Sequence, residues 1–187
     1  MRLRLSIEDI EILELFNKSL NSNIEIKTEI NNRGYNNSKN IANLTINSIK
    51  MVKDLKKYGI VENKTEIIDF YNFNNIDLTK AYIRGIFDGD GWCSFGENSR
   101  EIGFSGNQKT CEKIAEFLQK ELHIKNANVK PQKTISRVRI CNKAGIVSFY
   151  ENILKGNRDL SLKRKFDKIE NFAVSERASK NRKTTLR

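Results

Sequence analysis

A single histidine, His123, is present, so no two-histidine zinc site or HNH-type nuclease site can be built within the chain. The three cysteines, Cys93, Cys111 and Cys141, form an odd and widely spaced set. They fit small thiols in a reducing compartment better than a disulfide framework. There is one proline, Pro131, and no low-complexity linker. No run reaches the ~20 apolar residues of a membrane span, and residues 1–6 lack the apolar stretch of a secretory signal. These absences point to a cytoplasmic chain, or one of an organellar matrix if organelle-encoded, with no membrane partner.

What is abundant is positive charge. Lys and Arg number 34 against 23 Asp and Glu, a formal net charge of +11 with a pI near 9.6. Such a surplus suits a polyanion, because each phosphate neutralised releases counterions. A solvated surface accounts for the charge equally well until a site is identified. Hydrophobic residues make up 38% of the 187, enough to pack one medium domain or two small halves.

The apolar periodicity gives one element order twice. Leu3 and Leu5 alternate with polar residues as a strand, and Ile10, Leu13, Phe16 and Leu20 recur at helical spacing, with Ser6 or Asp9 as the cap. Residues 24–30 alternate as a strand, residues 43–46 as another, and Ser48 caps a helix carrying Ile49, Val52 and Leu55. In the second half, residues 101–104 are strand-like and Ile114, Phe117, Leu118 and Leu122 mark a helix. Strands over 124–129 and 135–140 follow, then a helix with Ile146, Phe149, Ile153 and Leu154, closed by Gly156. A strand-helix-strand-strand-helix unit is therefore repeated, the pattern of a pseudo-two-fold protein. The fold class expected is α+β, with twisted antiparallel sheet and packing helices. The boundaries expected are 1–77 and 78–173 for the halves and 174–187 for a basic tail, disordered from residue 176.

Between the halves lies Ile83-Arg84-Gly85-Ile86-Phe87-Asp88-Gly89-Asp90-Gly91. Residues 78–87 read as a helix opened by Asp77 or Thr79 and ended by the glycines. Ala81, Gly85 and Gly89 fall at four-residue spacing, on one face. Each glycine costs a helix about 1 kcal/mol, and close helix-helix packing is the compensating reason. Asp88 and Asp90 then stand beside that crossing point, and hard carboxylate oxygens are what Mg²⁺ takes. An EF-hand beginning at Asp88 is excluded, since Trp92 falls at its fifth position and Ser99 where a bidentate Glu is required. A structural alternative stands beside the metal reading: Asp90 capping the following turn.

Residues 83–91 resemble the nine-residue motif of the LAGLIDADG homing endonucleases, with conservative differences apart from Arg84; Tyr82 before and the strand-like Trp92-Cys93-Ser94-Phe95 after are also similar. The resemblance implies halves of the αββαββα type, a sheet that forms a DNA-binding saddle, and motif helices packed through Ala81, Gly85 and Gly89. It implies Asp90 as the metal-binding catalytic residue with Gly89 beside it, Asp88 as a helix-end residue, and Mg²⁺ as cofactor. It also implies a lysine near the site after the last helix of each half, Lys163 here and Lys64 in the first half. Asn107 or Gln108, at a strand-helix junction, is the candidate for orienting solvent around the metal.

The strand over 135–140 turns Ser136, Val138 and Ile140 to one side and Arg137 and Arg139 to the other. Two arginines on one sheet face suit guanine edges or phosphates. Asn126, Asn128 and Lys130 alternate beside them, Trp92 and Ser94 extend the surface, and Asn43, Thr45 and Lys27 form its first-half counterpart. A single-chain enzyme of this family carries two motifs and a homodimeric one carries a single motif near its N-terminus. This sequence has one, mid-chain. The second helix would come from a homodimer partner or from a separately encoded N-terminal piece. The expected activity is Mg²⁺-dependent, site-specific cleavage of double-stranded DNA. A non-cutting nucleic-acid-binding relic or an intron maturase of the same fold is the alternative.

Overall fold

The structure, a computed structural model, describes residues 1–30, 40–58, 60, 70–71, 73–97, 99–131 and 135–185. Its contacts separate into two units, Met1–Lys57 and Tyr58–Arg187.

In the first unit, β1 (Arg2–Ser6), α1 (Ile10–Ser19), β2 (Lys27–Glu29), β3 (Ile41–Thr45) and α2 (Ile49–Lys57) follow in order. The strands form an antiparallel sheet ordered β1-β3-β2, with Leu3 opposite Leu44 and Arg4 opposite Asn43. Period-two alternation sends Leu3, Leu5, Ala42 and Leu44 to a core shared with Leu13 of α1. Arg2, Arg4, Lys27, Asn43 and Thr45 fall on the opposite face. The strand expected over 24–30 contracts to Lys27–Glu29. Asn17 Nδ2 donates to the Ile24 carbonyl at 2.8 Å, tying that stretch to α1 instead of to the sheet. Ser48 caps α2 as expected, its Oγ accepting from the Met51 amide at 3.1 Å.

The second unit begins with α3 (Ile76–Asp90), followed by β4 (Gly91–Phe95), β5 (Arg100–Gly106), α4 (Gln108–Lys120), β6 (Asn128–Lys130), β7 (Ser136–Ile140), α5 (Lys143–Phe149) and α6 (Lys163–Thr185). Its antiparallel sheet is ordered β4-β5-β7-β6. One face carries Ile102, Phe104, Val138 and Ile140, all fully buried against Ile83 and Phe87 of α3 and against α4 and α5. The edge rings of Phe87, Phe104 and Phe149 meet at centroid distances of 5.2 to 5.8 Å, within the favourable range for aromatic pairs. The pairing β1-β3-β2 recurs as β5-β7-β6, each with a helix after the first and the last strand in chain order, so the repeat read from periodicity is present in the topology.

Three expectations are corrected. α3 is longer than residues 78–87 at both ends: Asn75, not Asp77 or Thr79, caps it, its side chain accepting from the amides of Asp77 and Leu78. The strand expected over 124–129 is β6, Asn128–Lys130, so Asn126 lies in the turn before it. Residues from 176 are not a disordered tail but continue α6 to Thr185. That helix is anchored by Phe166, Ile169 and Ala173 at three- to four-residue spacing in the core, and Glu176 pairs with Lys143.

Candidate nucleic-acid interface and acidic helix end

The C-terminal turn of α3 is held by a buried lysine. Lys165, in the first turn of α6, is 5% exposed, and its Nζ donates to the carbonyls of Phe87 (2.7 Å), Asp88 (2.7 Å) and Gly91 (2.6 Å). The Phe87 carbonyl also accepts from the Gly91 amide, and those of Asp88 and Gly91 lie where the helix gives way to β4, so the ammonium gathers the carbonyls of the turn. A cation there also complements the negative end of the helix dipole. The same ammonium lies 5.3 Å from the centre of the Phe87 ring. Gly91 closes the turn because a Cβ there would sit 2.4 Å from the Phe87 ring and carbonyl oxygen.

This clamp separates the two aspartates. Asp88 is half-buried and its Oδ1 accepts from the Leu162 amide at 3.2 Å. Burial pushes its carboxyl up to about 6, although that hydrogen bond and the charges of Lys165, Arg84 and Arg164 pull the other way. Asp90, two residues later, is exposed. Lys163 is exposed and opens α6 two residues before Lys165, which brings the start of α6 to the end of α3. Asn107 caps α4, its Oδ1 accepting from the Thr110 amide at 2.8 Å. Gln108 bonds Glu112. Lys64 lies outside the described residues.

Along α3, Ala81 is half-buried, while Gly85 and Gly89 are exposed; a Cβ at either glycine would meet nothing within 4 Å. Leu78, one helical repeat above Gly85, is 53% exposed.

The sheet that α3 leads into has one polar face. Trp92 and Ser94 of β4, Glu101, Gly103 and Ser105 of β5, Arg137 and Arg139 of β7, and Asn128 and Lys130 of β6 all occupy the positions opposite the core. The Trp92 indole lies against Gly103, where a Cβ would come within 2.5 Å of it. The Arg137 guanidinium stands 5.6 Å from the centre of that indole. In the first unit, Asn43 is 5% exposed, between Arg4 and Lys27 in register, and among the described residues its amide atoms have no hydrogen-bond partner.

Residues 77–154 match the family described as the LAGLIDADG-like domain. This segment is a LAGLIDADG-like domain. It begins at α3 and includes the polar-faced sheet, so the motif helix and the sheet face belong to one family unit. No curated protein matches the chain at the sequence level. Among solved structures, the meganuclease I-SmaMI bound to uncleavable DNA is 11% identical with a TM-score of 0.58, over 97% of this chain and 80% of that one. The LAGLIDADG homing endonuclease I-GzeII in complex with its DNA target is 12% identical with a TM-score of 0.56, over 96% and 81%. Full-length DUF199/WhiA from Thermatoga maritima is 16% identical with a TM-score of 0.54, over 94% and 53%. The α+β fold, antiparallel sheets with packing helices, is that of the LAGLIDADG homing endonucleases.

Two residues escape a sequence reading of this LAGLIDADG-like domain. Lys165 sits in the run Lys163-Arg164-Lys165, which reads as a solvated basic segment. The available signal is that Lys165 shares a helix face with Phe166, Ile169 and Phe172, a face that α6 buries. Glu101 carries no motif, and its signal is parity: it points the same way as Gly103 and Ser105, not as Ile102 and Phe104.

Proposed function

We propose that the chain is a site-specific, Mg²⁺-dependent double-strand DNA endonuclease of the LAGLIDADG type. The observation that carries this reading is the exposed Asp90 at the end of α3, two residues ahead of Trp92 on the polar face of the sheet. A basic, polar sheet face is suited to the major groove, and a carboxylate at its margin is suited to a metal beside the backbone. The fit to Mg²⁺ is partial. Asp90 offers a free-standing carboxylate and Gly89 a last-turn carbonyl, whereas Asp88 is turned to Leu162. Among the described residues no group of three His, Cys, Asp or Glu side chains is placed to hold a metal. The residues therefore fit half of a shared site. When bound, the ion would polarise a phosphate and lower the pKa of water. The chain's own part is to hold Asp90 rigidly through Lys165, present Lys163 as a cation for developing phosphate charge, and grip the duplex with the sheet.

The second carboxylate would come from another motif helix, in a homodimer through residues 78–91 or from a segment outside these 187 residues. The single acidic side chain favours a second reading: the chain alone binds duplex DNA without cutting it. Cleavage of a DNA pool by wild type and by Asp90→Asn in Mg²⁺ tests both. The endonuclease reading expects cutting by wild type and its loss, by a factor of roughly a hundred or more, with DNA binding retained in the variant. Equal cutting by Asp90→Asn would remove Asp90 from the chemistry, and binding without any cutting by wild type would favour the second reading.

A further inference from the structure

The polar face of the second sheet carries one feature at odds with a surface built only for phosphates. Of the outward positions on β4, β5, β6 and β7, Glu101 is the single acid among the described residues. A carboxylate there repels a polyanion, so its presence needs a reason other than affinity. It is held at both oxygens. Oε1 accepts from Trp92 Nε1 at 3.0 Å. Oε2 accepts from Arg139 Nε at 2.9 Å and from Nη2 of the same guanidinium. The Arg139 and Glu101 side chains remain 34% and 24% exposed, so the pair is reachable from outside. The indole that braces Glu101 is itself fixed, lying on Gly103 with Arg137 over its ring.

The arginine fork is thereby divided. A guanidinium has five N–H donors in one plane. Glu101 occupies the side formed by Nε and Nη2, which leaves the end formed by Nη1 and the second Nη2 hydrogen out of its contact, on a side chain that is 34% exposed. That end matches the O6 and N7 acceptors of guanine in the major groove. A phosphate would be met as well by a free arginine, whereas a planar group already oriented loses little freedom on binding a base edge.

We propose that Glu101 and Arg139 act as a guanine-selecting pair, with Arg139 reading the base in duplex DNA and Glu101 as its positioning residue. The inference rests on the DNA-binding reading above and adds a base identity to it. Trp92 holds Glu101 in place, and Arg137, in the neighbouring row of the sheet, stands over the indole.

The test is selection from a randomised duplex pool by the full-length wild type, Glu101→Ala and Arg139→Gln under non-cutting conditions, with salt fixed. Wild type is expected to enrich a motif that contains one guanine lost in both variants, the remaining positions being kept. Discrimination at that position should fall roughly five- to a hundredfold. Glu101→Ala, having lost a negative charge from the face, should also bind random-sequence DNA more tightly than wild type, so that its lost discrimination is not a general loss of affinity, as it would be for a purely structural Glu101. Three outcomes overturn the pairing: the same base preferences in all three proteins, a uniform loss of affinity across all positions, or a cytosine preference lost only with Glu101, which would make the acid itself the reader. If wild type enriches no motif and shows no affinity for DNA at low salt, the DNA-binding reading fails, and the pairing with it.

Discussion

At the scale of the residue, two aspartates separated by one glycine have different surroundings and different chemistry. Asp88 accepts from the Leu162 amide and is half-buried, and burial raises its carboxyl to about 6. The folded chain therefore keeps a proton on Asp88 that the unfolded chain releases at lower pH. Stability from this group is fully present below the ordinary carboxylate value and is lost as pH rises through about 6. Asn at this position keeps the oxygen that Leu162 uses and has no charge to desolvate. Asp88→Asn should thus be more stable than wild type at pH 8, by on the order of 1–2 kcal/mol after allowance for solvent screening. The gain should shrink towards zero near pH 4, and urea unfolding at the two pH values measures it. A gain of equal size at both values would show that the carboxyl's charge is not its cause.

At the scale of the element, α3 is kept in shape by α6. Lys165 supplies three hydrogen bonds to carbonyls around the last turn of the helix, those of Phe87, Asp88 and Gly91. Lys165→Met keeps the length of the side chain and removes three charge-assisted donors from the turn. A loss of about 2–4 kcal/mol is expected by denaturant unfolding. Lys163→Met, two residues away at an exposed position, should leave stability within about 0.5 kcal/mol and reduce cleavage instead. Comparable losses of stability in the two variants would refute the division of labour. The same pair shows what a sequence can disclose. The outward Arg137 and Arg139 are legible from alternation alone, because Val138 and Ile140 between and beyond them can face only a core. The motif helix is legible too, because small residues at four-residue spacing and an acidic end are local features. Lys165 is not legible, because its burial depends on the end of a helix that precedes it by more than seventy positions. The start of α3 is misread for a related reason: Asn75, Asp77 and Thr79 are all fit to cap, and the backbone decides among them.

At the scale of the whole molecule, the open face of α3 decides whether one chain is enough. Gly85 and Gly89 weaken the helix, and within the described chain nothing lies within 4 Å of where their Cβ atoms would be. If the face works alone, alanine at both positions is an improvement: each substitution raises helix propensity by about 1 kcal/mol and meets no obstacle. If the face works against a second motif helix, the glycines are what lets two backbones approach, and the added methyls hold them apart. The two cases predict opposite signs for assembly and the same sign for the isolated chain. The double variant Gly85→Ala/Gly89→Ala should therefore unfold at a higher denaturant concentration than wild type as a monomer. Wild type should show twice the monomer mass on DNA by light scattering, and the variant should remain monomeric with cleavage lost. A wild-type monomer on DNA that cuts both strands would dispose of the homodimer. A variant that still assembles and cuts would show that the small-residue stripe is not the contact, and the second carboxylate would have to reach Asp90 by another route.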